Sequence, residues 1–392
     1  MNSVQHMVIG EAGSFLVVGD FCLAGSNIAD DVTRRHFWAG VEEVTSGQTC
    51  IIANLECAIT DRGTPRPYKW ANLRASPRLR HALQGLDVAI LGNNHISDFG
   101  LEGAEDTLEI LKEQGIAHAG YGNTIDDAIA PAMLEKHGVR IAIVSLCCPT
   151  TNGENIATYT SEGVAPLGAG LLQRAVAATV VEARATAAAV LVYLHWGIER
   201  EHNPVPDQLR LARVAIDAGA DAVVGCHAHV IQSFEQYHGR WIFYGLGNFL
   251  FDAVEILEPL GNGTFRKGAI QLKKENKQSL AVEFSYHPDS TSGRLRLKQI
   301  HCLEFGDDFV PKPISSKSLT VNLGAINDNL SRYVSWNTAE LKSVHEPRYE
   351  AVVRNGTITY FYTTRPISGA LVRRFGSRAR QYVRRLDRIL VR

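Results

Sequence analysis

Short apolar runs that stop at polar residues recur between Ser14 and Asn248, and they constrain the fold more than any other feature of the chain. They are SFLVVGD (14–20), TCIIANLE (49–56), LDVAILGNNH (86–95), AVLVYLHWG (189–197), ADAVVGCHAH (220–229) and RWIFYGLGN (240–248). VRIAIVSL (139–146) is a further run of the same kind. Runs of this length, rich in β-branched residues, read as strands buried on both faces. Helical patterns over 103–114 and 207–218, the second with Asp207 as N-cap, lie between them. Strands alternating with helices predict an α/β layered fold whose functional groups sit at strand ends.

After Asp252 the texture changes. GAIQLKKE, SLAVEFSYH and LRLKQIHCLEF alternate apolar and polar residues, as half-exposed antiparallel strands do, with SYHPDSTSGR as a turn between two of them. These features divide the chain into a main domain over 1–305, an irregular or β appendage over 306–371, and a basic segment over 372–392. A main domain of this length has room for a substantial core.

The formal charge of −1 supplies no global field that would select nucleic acid. Seven cysteines, an odd number with Cys147 and Cys148 adjacent, fit neither a disulfide framework nor a paired zinc pattern, and predict reduced thiols in a cytoplasmic setting. MNSVQHMVIGEAGSFLVVGD has no basic segment followed by a long apolar one, and no window holds about 18 consecutive apolar residues. Neither a signal peptide nor a transmembrane segment is therefore expected.

The strand ends carry Asp20, Glu56, Asn94, His95, His195, His227 and His229, with Asp98 and Asn248 close behind. Carboxylates, imidazoles and a carboxamide form a nitrogen and oxygen donor set that suits manganese, iron or zinc. Gly-Asp and Asn-Leu-Glu are weak signals alone, since either begins an ordinary turn. Asn-Asn-His and His-Trp-Gly, the latter with Glu199 nearby, are more specific, and Cys-His-Ala-His is the strongest single element. In a regular strand His227 and His229 face the same side; in a turn after it they diverge toward two neighbouring ions.

The ordered set G-D, N-L-E, N-N-H-x-x-D, H-W-G-x-E, G-x-H-x-H and L-G-N-F, from about Phe15 to Asp252, resembles the CapA (PgsA) proteins of bacterial capsule and poly-γ-glutamate synthesis. These are similar in turn to calcineurin-like metallophosphoesterases. The resemblance implies a four-layer α/β/β/α sandwich with a site for two divalent ions, here followed by a small C-terminal appendage and a basic helix. It implies Asp20 and His229 at one ion, Asn94, His195 and His227 at the other, and Glu56 between them. It also implies His95 as the proton donor to a leaving group, oriented by Asp98. Asp20-Phe21-Cys22 departs from the usual D-x-H of metallophosphoesterases, so the first site lacks an imidazole, and Glu56 is one methylene longer than the usual aspartate.

Two ions about 3.5–4 Å apart lower the pKa of a bound water and clamp the oxygens of a transition state. The resemblance therefore implies a metal-dependent hydrolase acting on a phosphorylated small molecule, an acyl phosphate or a γ-glutamyl polymer. The alternative is a non-catalytic scaffold that binds polymer or a synthase partner. From Val372 to Arg392, eight arginines against Asp387 give +7 and leave −8 on the rest of the chain. Phe375, Ala379, Tyr382, Val383, Leu386 and Leu390 recur at helical spacing there, so the segment reads as a basic amphipathic helix. It either docks on the acidic body or meets an anionic membrane surface.

Overall fold

A computed structural model describes residues 6–8, 14–25, 37–44, 49–67, 69, 71–136, 139–148, 151, 163–164, 172–259, 265–287, 293–336, 348–354 and 357–363. The basic segment 372–392 lies outside the described residues.

Among the described residues the chain lays down two large sheets, beside four two-stranded ones. The first begins with β1 (Ser14–Phe21), β2 (Cys50–Leu55), β3 (Val88–Ile90) and β4 (Ala117–Ala119), all parallel, with α1 (Gly100–Glu113) crossing between β3 and β4. The second takes β5 (Ala132–Lys136), β6 (Val139–Cys147), β7 (Ala189–His195), β8 (Ala222–Cys226), β9 (Phe234–Tyr237) and β10 (Arg240–Phe243). Helices α2 (Leu172–Thr186) and α3 (Pro206–Asp217) make the crossovers from β6 to β7 and from β7 to β8. The chain then returns to the first sheet through β11 (Asn248–Leu250), which pairs with β1 so that Asn248 lies opposite Asp20. The antiparallel strands β12 (Gln278–Tyr286), β13 (Leu295–Phe305) and β14 (Pro311–Ile314) complete it in the order β14-β13-β12-β1-β2-β3-β4.

Side-chain alternation explains the layering. Phe15 and Val17 of β1 meet Ile143, Leu191 and Val224 between the sheets. Leu16 and Val18 point to the other face and pack with Ala104 and Leu111 of α1. On the far side Val190, Val192 and Val223 meet Val180 of α2 and Leu209 and Ala212 of α3. Three apolar interfaces separate four layers, α/β/β/α, and strands covered on both faces require the continuous apolar runs seen in the sequence. Each fully buried Val, Leu or Phe side chain contributes about 1.5–3 kcal/mol.

Of the two readings of Cys-His-Ala-His the structure has the turn: the strand stops at Cys226, because His227 and His229 have φ of 91° and 56°, outside any β conformation. Three details differ from the sequence reading. The second helix starts at Pro206, whose missing N–H suits the first helical position; Val205 is the N-cap and Asp207 falls in the first turn. Residues of GAIQLKKE form one arm of a separate two-stranded hairpin, Val254–Pro259 with Phe265–Ile270, and Lys274–Lys277 is a 3-10 turn. Strand β12 is buried on both faces along most of its length, since it lies between β1 and β13 with a layer on each side. Beyond Phe305 the chain contributes β14 and then a helix, Leu323–Trp336. No helix among the described residues is long and apolar enough to cross a membrane.

Candidate metal centre

The parallel strands of both sheets deliver their polar residues to one place. Asp20 is on β1, Glu56 directly follows β2, Asn94 and His95 follow β3, His195 ends β7, and His227 follows β8. All are buried, and the side chain of His229 is 17% exposed. A parallel sheet aligns its strand ends, so residues distant in sequence share one edge.

Glu56 is central. Its Oε1 faces His195 Nε2 at 3.7 Å, His229 Nε2 at 3.8 Å and His95 Nε2 at 4.0 Å, and it has no hydrogen-bond partner. His227 Nδ1 is likewise buried without a partner. One ligand atom each from Glu56, His227 and His229 lie within 4.8 Å of one another, and so do atoms of Asp20, His195 and Cys226. Two ligands each about 2.1 Å from one cation lie roughly 3–3.5 Å apart, so these donors need only a small inward shift to share an ion. An orphaned carboxylate oxygen and an orphaned imidazole nitrogen facing a common space are a poor end state for protein alone and a good fit to a divalent cation.

Asp20 accepts from Asn54 Nδ2 at 2.9 Å and from the His227 backbone N–H at 3.3 Å, and lies 3.3 Å from His229 Nδ1. Asn248 Oδ1 also approaches His229 Nδ1, at 2.9 Å. His195 Nε2 lies 2.8 Å from Asn94 Oδ1, its Nδ1 lies 3.1 Å from Cys226 Sγ, and its ring is 4.7 Å from that of His227. Left-handed backbone at two histidines costs about 1–3 kcal/mol each, strain of a kind that collects at functional sites. The His227 N–H bond to Asp20 and the Asn276 Nδ2 bond to the His229 carbonyl, at 3.0 Å, hold that turn in place.

The electrostatics carry the same message. Burial and the neighbouring Asp20 charge push the Glu56 carboxyl well above the ordinary range. Burial opposes a charge on His229, but Glu56 and Asp20 outweigh it and lift the imidazole to about 10. Burial would raise Asp20 too, yet the hydrogen bond and charge of His229 hold it below its usual value. Burial drives His227 down to about 4. Two buried carboxylates thus share one imidazolium, and burial together with the Asp20 charge disfavours the charged form of Glu56. A bound cation would offset that cost.

Beside this cluster stands a hydrogen-bonded group. His95 Nδ1 is 2.6 Å from Asp98 Oδ2, while Asp98 Oδ1 accepts from Lys69 Nζ at 2.5 Å. Burial and the Lys69 charge lower the His95 pKa; burial would raise that of Asp98, but Lys69 and His95 bring it below the ordinary carboxylate. Asn93 accepts from the backbone N–H groups of His95 and Ile96 and donates to Asn54 Oδ1, tying this loop to the Asp20 side.

The structure therefore brings Asp20, Glu56, Asn94, His95, Asp98, His195, His227 and His229 together. Cys22 is buried, a free thiol beside that of Cys57. Sequence reasoning passed over Lys69, and it quoted Asn54, Asn93 and Cys226 within its motifs without giving them a role. A lysine between two aromatics in PYKWA was a usable signal for the first; Cys226 had none beyond its place before His227.

Comparison with known proteins gives several relatives. The chain is 36% identical over 168 residues to the capsule biosynthesis protein CapA of Bacillus anthracis, covering 43% of this chain and 41% of that one. It is 32% identical over 216 residues to the PGA biosynthesis protein CapA of Bacillus subtilis, covering 54% and 56%. It is 32% identical over 229 residues to a probable polyglutamine synthesis accessory protein of Mycobacterium tuberculosis, covering 56% and 59%. The chain thus spans about half the length of the curated relatives it matches. Among solved structures, a 5'-nucleotidase from Candida albicans aligns at TM-score 0.40 and 10% identity, over 87% of this chain and 60% of that one. The bacterial capsule synthesis protein PGA_cap profile matches residues 14–253, the stretch that carries every candidate ligand above, and the chain belongs to that family.

Proposed function

We propose that the chain is a divalent-metal-dependent, hydrolase-like enzyme. It would act on a phosphate or acyl-phosphate-related substrate in the synthesis or processing of a capsule or γ-linked glutamyl polymer. The observation that carries this reading is Glu56 Oε1, buried, unbonded and ringed by three imidazole nitrogens at 3.7–4.0 Å. The polymer class comes from the relatives, two named for capsule or PGA biosynthesis and one for polyglutamine synthesis.

Asp20, Glu56, Asn94, His195, His227 and His229 would hold the metal, as one ion or two. Bound there, it would supply positive charge that polarises a phosphoryl or acyl oxygen and acidifies water. The protein's own part is proton handling and orientation. Asp98 is an acceptor only, so at 2.6 Å it fixes the proton of His95 on Nδ1 and leaves Nε2 facing the site. The resting ring is neutral, and an anionic substrate beside Nε2 would raise its proton affinity toward that of a general acid. The buried walls exclude bulk water and strengthen each of these interactions.

A non-catalytic accessory role draws on one observation: Cys22 turns to Cys57 and offers Asp20 no ligand. The two readings separate in an assay with acetyl phosphate and p-nitrophenyl phosphate, using chelator-stripped protein before and after adding manganese or zinc. Metal-restored hydrolysis that His95→Gln abolishes supports the enzyme; no hydrolysis of either compound in any metal state supports the accessory role.

A further inference from the structure

Gly63, Arg66, Lys69, Leu73 and Arg74 form a strap against the loop that presents Asn94 and His95. Arg66 N–H donates to the Asp98 carbonyl at 2.7 Å, and Leu73 N–H donates to Asp98 Oδ2 at 2.7 Å. The Arg74 guanidinium stacks on the Phe99 ring at 4.5 Å. Gly63, at φ 77°, has the Phe99 carbonyl oxygen 2.0 Å from where a Cβ would stand, so only glycine permits this approach. From this strap the side chain of Lys69, 3% exposed, reaches inward.

Its ammonium donates to Asp98 Oδ1 and to the backbone carbonyl of Asn94, and lies 3.2 Å from His95 Nδ1. An ammonium donates and never accepts, and Asp98 Oδ2 already takes the Nδ1 proton. Lys69 is therefore bound to the partners on either side of His95 in sequence, the Asn94 carbonyl and the Asp98 carboxylate. It also neutralises a carboxylate whose other partners are His95 and the Leu73 N–H.

We infer that Lys69 is a positioning residue: by tying the Asn94 carbonyl to the Asp98 carboxylate, it fixes the Asn94 amide toward His195 and the Nε2 edge of His95 toward Glu56. The inference rests on the proposed centre for the roles of Asn94 and His95. Groups one step beyond the metal ligands that orient them are commonly worth about 10- to 100-fold in affinity or activity.

Two readouts test it. In metal-free protein, the nitrogen-15 spectrum of His95, identified by the signal lost in His95→Gln, reports a single Nδ1–H tautomer in the parent. Lys69→Met should average or redistribute that signal, and Lys69→Arg, which keeps charge and donors, should largely restore it. In the second, a Mn²⁺ titration, Lys69→Met should weaken binding about 10- to 100-fold, with partial rescue by Lys69→Arg. Should Lys69→Met fail to fold, Lys69→Gln, which keeps a donor but loses the charge, should show a loss of Mn²⁺ affinity in the same direction. A parent-like His95 signal in Lys69→Met, or in Lys69→Gln if that alone folds, together with Mn²⁺ affinity within twofold of the parent, overturns the inference. If the parent itself binds no Mn²⁺, the proposed function fails, and the tautomer signal still decides the role of Lys69.

Discussion

The two halves of the site differ in how complete they are. In the Lys69–His95–Asp98 half, Nδ1 of His95, both oxygens of Asp98 and the Lys69 ammonium all have partners. In the Asp20–Glu56–His227–His229 half, Glu56 Oε1 and His227 Nδ1 have none, and two carboxylates share one imidazolium. Both halves are buried at the same sheet edge, so burial does not distinguish them. The difference teaches that a protein finishes what its own atoms can finish: a proton-holding pair is closed by a lysine, whereas a ligand set stays open for what it binds.

Substitutions should separate the halves. His227→Ala with His229→Ala should abolish stoichiometric metal binding and all metal-dependent turnover, the largest effect available, read by elemental analysis and by the phosphate-ester assay. His95→Gln should do the reverse, keeping parent-like metal content while turnover falls about 10²–10⁴-fold. If His95→Gln also emptied the site, the two halves would be one unit and the comparison would collapse.

Protons sharpen it further. His229 is lifted to about 10, so at pH 7.5 metal entry must displace at least one proton from the open half. Calorimetry in buffers of different ionisation enthalpy should record that release, and affinity should rise with pH. In metal-free protein the burial of His227, which lowers it to about 4 from 6.5, has a defined sign. The folded state prefers the neutral ring, so stability is intact above pH 6.5 and is lost as pH falls from there toward 4. His227→Gln should flatten that part of the stability profile. The smallest effect is thermal: saturating metal at 100 times its dissociation constant adds about 2.7 kcal/mol, a rise of several degrees in Tm that chelator should reverse.

Much of this was legible in the sequence, and the reason is geometric. A parallel strand buried on both faces writes itself as an unbroken apolar run, and the polar residue that ends it is the one at the sheet edge. Asp20, Glu56 and His195 stand where that rule places them, and the ordered set of motifs, not any one of them, marked them as candidate ligands. His227 and His229 were legible as a pair but not in conformation, because left-handed backbone at two histidines is imposed by Asp20 and Asn276, residues remote in sequence. Lys69 was hidden for the same reason: it lies on a strap with no apolar periodicity, and its partners, Asn94 to Asp98, are more than twenty residues away. The completed half of the site was the harder half to read, since its closure depends on tertiary contacts rather than on strand ends.

The most direct test of the open half is metal content, measured by mass spectrometry on protein purified without a polyhistidine tag, beside His227→Ala/His229→Ala. One or two equivalents of manganese, iron or zinc in the parent, lost in the variant, is the predicted result. Equal and negligible metal in both, persisting after reconstitution, would contradict the account.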